Sequence, residues 1–300
     1  MATINNTTTS AVNKNMIIPD VYSQLVQEKI AGKCHVANMA KVLGDLQGKP
    51  GETLTVPSIV YDGDATDWTP GTAMTATNLK TKTKSFTIKA IAAPAYDIYD
   101  FDNEVEMGNS IENASKNQST AIARKMDADC ITEALKAPFK ATVATSGVIT
   151  QDELLDALGL FGDDRNVEDF AGAGIVAHSA FAKSFYGMDL FVKSTSTTAQ
   201  AGNGIVRGDC IGTFLGINVY LSDRCVESSK PVMLIIKTDA LGIIPKETPF
   251  SEVERTASKR LNTIYCSDSY ACGVIDESGI VVMREKATTG KYFDLMGVVS

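Results

Sequence analysis

Between Lys84 and Ile98 a set of apolar side chains recurs on even positions. Phe86, Ile88, Ala90, Ala92, Tyr96 and Ile98 alternate with Ser85, Thr87, Lys89 and Asp97. A period of two predicts one long half-buried strand, and Pro94, which has no N–H for a ladder, predicts an edge or a bend within it. Past Asp100, Phe101 and Asp102 the period changes. Asn103 with Glu106 has the spacing of a capping box, Gly108 and Asn109 permit a break, and Ser110 is placed to cap a second helix. Ile111, Ala114, Gln118, Ile122, Met126 and Cys130 give that helix a mostly apolar face at spacings of three and four, and Pro138 stops it after Ala137. About 28 helical residues make a rod of roughly 42 Å. The rest of the chain reads as attached to this strand and rod.

Before the strand, residues 1–15 are Thr, Asn and Ser without periodicity and read as a flexible tail. Pro19 and Asp20 mark a helix start. Val21, Leu25, Val26, Ile30, Val36 and Met39 then give a looser amphipathic pattern, interrupted at Gly32: an arm that lies on other structure. Gly48, Pro50 and Gly51 punctuate, and Leu54 and Val56 alternate in a short strand before Pro57. Tyr61 to Thr83 is polar, carries Trp68, Pro70 and Gly71, and has too little apolar surface for a core of its own. This is a long two-stranded excursion with halves of opposite charge. Glu52, Asp62, Asp64 and Asp67 lie on the way out, and Lys80, Lys82, Lys84 and Lys89 on the way back. Lysines two apart project from one face of a strand, either as a solvated edge that resists aggregation or as a contact strip for an acidic neighbour.

Beyond Pro138 the texture becomes α/β. Thr150 and Glu153 form a capping box ahead of Leu154, Leu155, Leu158 and Phe161. A short strand at Ile175 to Ala177 is followed by a helix opened by Ser179, and residues 194–204 read as a mobile loop of low complexity. Ile211, Leu215, Ile217, Val219 and Leu221 precede a buried-type strand at Val232 to Ile236. From Glu252 to Met283 the pattern is of long β ribbons, turning at Asp268 and Ser269 and again at Glu277 to Gly279.

Composition narrows the class without adding chemistry. The chain has 300 residues, 44% hydrophobic and 21% charged, enough for two or more packed units. It has no apolar run of membrane length and no charged segment leading into an apolar one at its start, so neither a helical membrane span nor an export signal is expected. The six cysteines include no C-x-x-C pair and read as reduced thiols of a cytoplasmic product. A formal net charge of −8 argues against a general nucleic-acid binder. Catalytic and cofactor motifs are sparse. Of the two histidines, His178 follows a strand and precedes a helix, the position of many active-site groups, but no G-x-S-x-G stands beside it, and a structural histidine is the plainer reading. Gly202, Gly204 and Gly208 are one residue too widely spaced for the dinucleotide fingerprint, and no phosphate-binding loop occurs. No cofactor, metal or catalytic residue is expected.

The order of parts carries a resemblance that no single motif does. An N-terminal arm, a charged hairpin, a strand feeding a long helix, a glycine-punctuated α/β region and a return through long strands together resemble the major capsid proteins of tailed bacteriophages, the Hong Kong 97-like fold. Three passages strengthen the likeness. Gly48 to Pro57 resembles the turn and strand that open the family's extended loop. Ala121-Ile122-Ala123-Arg124-Lys125-Met126-Asp127-Ala128-Asp129 resembles its spine helix, small and apolar inward, charged outward. Gly208 to Asp223 resembles the central passage of repeated Gly and apolar residues before a Ser-Asp.

The resemblance implies an α+β fold: an N-terminal arm (1–50), an extended β-hairpin loop (51–97), a peripheral domain with the spine helix (98–148), an axial domain (149–239), and peripheral return strands with the C-terminus (240–300). It implies a structural protein of the virion, not an enzyme, forming pentamers and hexamers of an icosahedral shell. The expected partners are further copies of the chain, a portal protein, and packaged double-stranded DNA held by enclosure without sequence-specific binding. No membrane partner is expected. The expected contact residues between subunits are Asp62, Asp64, Asp67, Trp68, Lys80, Lys82, Lys84 and Lys89. Only about 16 weakly patterned residues precede the arm, too few for a helical scaffold, so a separate scaffolding protein, an unprocessed N-terminus apart from Met1, and assembly in the bacterial host cytoplasm are expected. Two other readings stand beside this one: an encapsulin-like compartment shell of the same fold, and an α/β enzyme using His178.

Overall fold

The structure is a computed structural model, and it describes residues 19–44, 53–59, 67, 69–71, 81–101, 110–161, 174–193 and 210–285. In chain order the elements are α1 (Pro19–Ala31), β1 (Lys41–Val42), β2 (Thr53–Ile59), β3 (Thr81–Thr87), β4 (Lys89–Ala92), β5 (Tyr96–Tyr99), α2 (Ser110–Ala134), β6 (Phe139–Val143), α3 (Gln151–Gly159), β7 (Gly174–Ala177), α4 (Ala182–Phe185), β8 (Phe191–Lys193), β9 (Cys210–Phe214), β10 (Ile217–Leu221), β11 (Val226–Glu227), β12 (Lys230–Pro231), β13 (Met233–Ile236), β14 (Leu241–Thr256), β15 (Leu261–Val274) and β16 (Ile280–Glu285). They fall into two compact units: Met1–Cys34, Lys89–Met126 and Pro245–Tyr270 in the first, His35–Ile88, Asp127–Ile244 and Ala271–Ser300 in the second.

The first unit lays two helices on one face of a sheet. β4 and β5 both pair antiparallel with β15, Ala92 opposite Ser267 and Tyr96 opposite Ile264. The long strand expected to reach Ile98, with an edge or bend at Pro94, is therefore interrupted on both sides of β4. Its phase also shifts there: Ala90 and Ala92 are exposed, while Lys89 and Ile91 are half-buried. On α1 the buried face is Tyr22, Val26 and Ile30, at helical spacing, and Val21 points to solvent. A polar hub joins the layers. The Tyr22 hydroxyl donates to Gln118 Oε1 at 2.6 Å, and Gln118 Nε2 donates to the carbonyls of Pro94 (2.9 Å) and Ile264 (3.1 Å). Gln118 is fully buried, and its amide satisfies a carbonyl that the break at Pro94 leaves outside any ladder. Burial, with Cys266 and Tyr96 nearby, raises the Tyr22 phenol well above its usual range, which keeps it a donor.

The hairpin of this unit turns at Ala257–Arg260, with Arg260 in the left-handed region (φ 49°). The turn expected at Asp268 and Ser269 does not form. Both lie inside β15, where Ile264, Cys266, Asp268 and Tyr270 alternate on the buried side. Asp268 is a polar residue on a buried face, and sequence pattern alone reads it as a breaker. Burial pushes its carboxyl up to about 6, against the Ser269 N–H that donates to it.

The second unit is built on a seven-stranded sheet in the order β6-β16-β13-β7-β10-β9-β8. Its central strands, Gly174–Ala177 and Met233–Ile236, are buried along their whole length, as continuous apolar runs covered on both faces must be. Leu154, Ala157 and Leu158 of α3 pack on this core with Phe181, Phe185 and Phe214. The capping box holds α3 as expected, with Thr150 Oγ1 accepting from the Glu153 N–H and the Glu153 carboxylate accepting from the Thr150 N–H. β16 enters this sheet between β6, parallel, and β13, antiparallel. The end of α2 also departs from expectation, giving way at Ala134 to a turn at Leu135 and Lys136 before Pro138. The capping box at Asn103 and Glu106, the break at Gly108 and Asn109, and the glycines at 202, 204 and 208 lie outside the described residues.

Candidate intersubunit surface

The two-stranded excursion forms. β2 and β3 pair antiparallel from Thr53 opposite Thr87 to Ile59 opposite Thr81. Residues opposite one another share a face, so Leu54, Val56, Lys84 and Phe86 stand on one side and Thr53, Thr55, Thr83, Ser85 and Thr87 on the other. The first side closes over a small core: Phe86 is buried with Ile244 and Ala271, and Leu43, Leu54, Val56, Ile88 and Ile275 pack around them. Gly273 makes room for the ring, because a Cβ there would overlap Phe86. Every described residue of the second side is exposed. The ladder ends at Thr87, and the residues that follow it, Lys89–Ala92 and Tyr96–Tyr99, pair with β15.

The residues expected to touch a neighbour are dispersed. Lys84 forms an ion pair with Glu277 of its own chain, its side chain only 21% exposed, so its charge is already matched at home. Lys89 stands in β4 opposite Tyr270, half-buried. Asp67 is exposed. The backbone of Lys82 is placed in β3 opposite Ser58. Asp62, Asp64, Trp68 and Lys80 lie outside the described residues.

Three anchoring arrangements escaped the sequence reading. Asp127 and Asp129 of α2, expected on a charged outward face, are both buried. Asp127 accepts three backbone N–H groups, from His35 (3.0 Å), Val36 (3.1 Å) and Ala37 (2.9 Å). It acts as the cap of the short helical turn Ala37–Met39, whose own N-cap residue, Val36, has no side chain for the task. At the far end of β5, Asp100 takes both Arg255 nitrogens at 2.6 Å and the Asn262 amide at 3.2 Å. The Arg255 hydrogen bonds hold the Asp100 carboxyl below its usual range despite some desolvation. The third is Gln118, whose place on an apolar face is explained by the hub it makes.

His178 has the structural role. Its Nδ1 accepts the Ala180 N–H at 3.1 Å and caps the turn that leads into α4. Among the described residues no group of three or more His, Cys, Asp or Glu side chains could hold a metal ion, and no helix is long and apolar enough to cross a membrane.

Comparison with known proteins gives these features their class. No family model matches the chain. The structure is similar to the mature capsid of bacteriophage PhiM1 at a TM-score of 0.58 and 11% identity, covering 85% of this chain and 88% of that one. It is equally similar to a virus-like particle from Pyrococcus furiosus, TM-score 0.58 at 9% identity, covering 88% and 98%. The architecture is thus the Hong Kong 97-like capsid fold. In sequence the chain is 29% identical over 267 residues to the major capsid protein of Staphylococcus phage phiMR11, spanning 89% of this chain and 93% of the relative. The chain is thus similar, in sequence and in fold, to phage major capsid proteins, as the order of its parts leads one to expect.

Proposed function

We propose that the chain is the shell subunit of a tailed bacteriophage, closing as pentamers and hexamers into an icosahedral capsid around packaged double-stranded DNA. The observation that carries this reading is the β2–β3 ribbon. Its inner face is covered by its own chain at the base, and its outer face is a row of exposed Thr and Ser. A two-stranded ribbon is marginally stable alone, and an adjacent subunit against its outer face adds the support its own chain does not. Asp62, Asp64, Asp67, Trp68, Lys80 and Lys82 are the contact residues, whereas Lys84, paired with Glu277, steadies the base. The five segments 1–50, 51–97, 98–148, 149–239 and 240–300 serve as arm, extended loop, peripheral domain, axial domain and return strands. A separate scaffolding protein sets curvature, a portal protein occupies one vertex, and assembly takes place in the host cytoplasm.

Negative-stain microscopy of the purified protein tests the proposal. Closed shells, tubes or ring-shaped capsomers are expected, and a protein that stays monomeric at high concentration, with and without its scaffolding partner, would overturn it. A compartment shell enclosing protein cargo is the second reading, favoured by the likeness to the Pyrococcus furiosus particle. Nucleic acid inside native particles decides for the phage capsid, and an enzyme cargo for the compartment.

A further inference from the structure

The helical layer of the first unit gathers ammonium groups that form no ion pair among the described residues. Lys33 Nζ, just past the end of α1, reaches across to α2 and donates to the Lys116 carbonyl (2.7 Å), Ser119 Oγ (2.6 Å) and Thr120 Oγ1 (2.7 Å). Those hydroxyls in turn donate to the same Lys116 carbonyl. All three N–H bonds of the Lys33 ammonium are therefore used, and its charge is fixed in place. Lys29, one turn earlier, gives one bond to Ser115 Oγ at 2.9 Å and keeps two N–H donors. Lys116 is exposed. Among the described residues none of these three lysines has a carboxylate within ion-pairing distance. Arg124 is exposed on α2 two turns beyond Lys116, about 12 Å along the axis, and it too has no carboxylate partner among the described residues.

This is an unusual use of charge in a chain whose net charge is −8. A lysine near a helix C-terminus is ordinarily favourable. Here, however, burial and then the charges of Lys29 and Lys116 lower the affinity of Lys33 for its proton, so the cluster repels itself. Among the described residues no carboxylate relieves it by ion pairing, although Glu112 stands one turn before Lys116 on α2. Elsewhere in the same unit Glu252 and Glu254 are exposed along β14. An outside anion that spans about 12 Å satisfies this arrangement, and a repeating phosphate backbone supplies one.

We propose that Lys29, Lys116 and Arg124, backed by the fixed charge of Lys33, form a sequence-independent binding site for nucleic-acid phosphates on the helical layer. The site rests on the reading of the chain as a DNA-enclosing shell, and it makes that shell's inner wall the helical side of the first unit. Its partner is the phosphodiester backbone, contacted at isolated points by a protein that repels it elsewhere. A polyanion held this way is kept off the wall everywhere except at these cations.

The test is binding of the full-length protein to a fluorescent duplex of about 30 random base pairs, read by anisotropy between about 50 and 200 mM salt. Three phosphate contacts contribute about 2.7 to the slope of log K against log salt. The variant K29Q/K116Q/R124Q should lose that much slope, so that its affinity falls roughly fortyfold less than wild type across this range. K116E/R124E, which alters only exposed side chains, should bind more weakly still, and E252Q/E254Q should leave the slope unchanged. Unaltered slopes in both basic-site variants would overturn the site. So would competition by polyglutamate, or by inorganic phosphate, as effective per charge as unlabelled duplex. Microscopy of the same preparations reads shell formation separately. Shells with an unchanged slope remove the site alone, and a changed slope without shells removes the shell reading alone.

Discussion

Asp127 is the most exposing place to test how this fold is held. One carboxylate oxygen serves Val36 and Ala37 and the other serves His35, so replacement by Asn keeps an acceptor for the first two and turns an amide N–H against the third. The exchange weakens two charge-assisted bonds to neutral ones and abolishes one, at about 1.5–3 kcal/mol for a charged bond against about 1 for a neutral one. A destabilisation of roughly 2.5–7 kcal/mol is the upper range for D127N if these bonds add, with the low end expected because the site relaxes. D127A leaves three N–H groups without an acceptor and should lose roughly 3–9 kcal/mol, less where water reaches them. Urea denaturation gives the global figure. Hydrogen exchange gives the local one: if the Ala37–Met39 turn opens at the expense of the same interaction, the amides of Val36 and Ala37 should exchange about 100-fold faster in D127A, the equivalent of roughly 3 kcal/mol. Unchanged exchange at these two amides, together with D127N within about 0.5 kcal/mol of wild type, would refute the assignment of Asp127 as their cap.

Further expectations concern single residues. Because the folded-state pKa of Asp268 lies near 6, above its ordinary 3.8, the native state holds more protons between these values, and stability should fall as pH rises through that window. D268N should be the more stable protein at pH 7–8 by about 2–3 kcal/mol and lose that advantage near pH 4, as thermal melting against pH will show. G273A should lower stability by about 1–3 kcal/mol through the clash with Phe86, measured by the same melts, with an accompanying loss of order in the β2–β3 ribbon. Emission from Trp68, the single tryptophan, should shift to the blue on passing from capsomers to shells, and an identical spectrum in both would place the loop tip away from any neighbour. Charge reversal of Lys80 and Lys82 should weaken assembly most at low salt, at about 0–1 kcal/mol per contact, and light scattering that shows equal assembly at all salt concentrations would exclude their pairing with acidic neighbours.

What could be read from the sequence was local. The capping box at Thr150 and Glu153, the helix start at Pro19, and the buried-type strand at Val232 to Ile236 each depend on residues within a few positions of one another, and each formed. Asp268 was misread because a buried carboxylate breaks the period that defines a strand, and the reason it is tolerated lies in the packing of its unit. Asp127 reads as part of a charged helix face because its three partners are some 90 residues earlier in the chain. Lys84 likewise looked free until the fold brought Glu277 to it from 193 residues away. The expected contact strip was drawn from spacing alone, and spacing cannot separate lysines that serve a neighbour from one that serves its own chain.

The position of β16 has a consequence for the order of events during synthesis. β6 is complete at Val143, yet the strand that pairs with it is not made until Ile280 to Glu285, about 140 residues later. At roughly 5–20 residues per second the ribosome takes on the order of 10–30 s to cover that interval. During it, the seven-stranded sheet is missing its second strand, the one whose Ile280, Val281, Val282 and Met283 are all fully buried. A nascent or truncated subunit therefore cannot present a finished second unit to its neighbours. If the chain is the shell subunit proposed above, late insertion of an interior strand would act as a proofreading step, admitting to a growing shell only chains translated through residue 285.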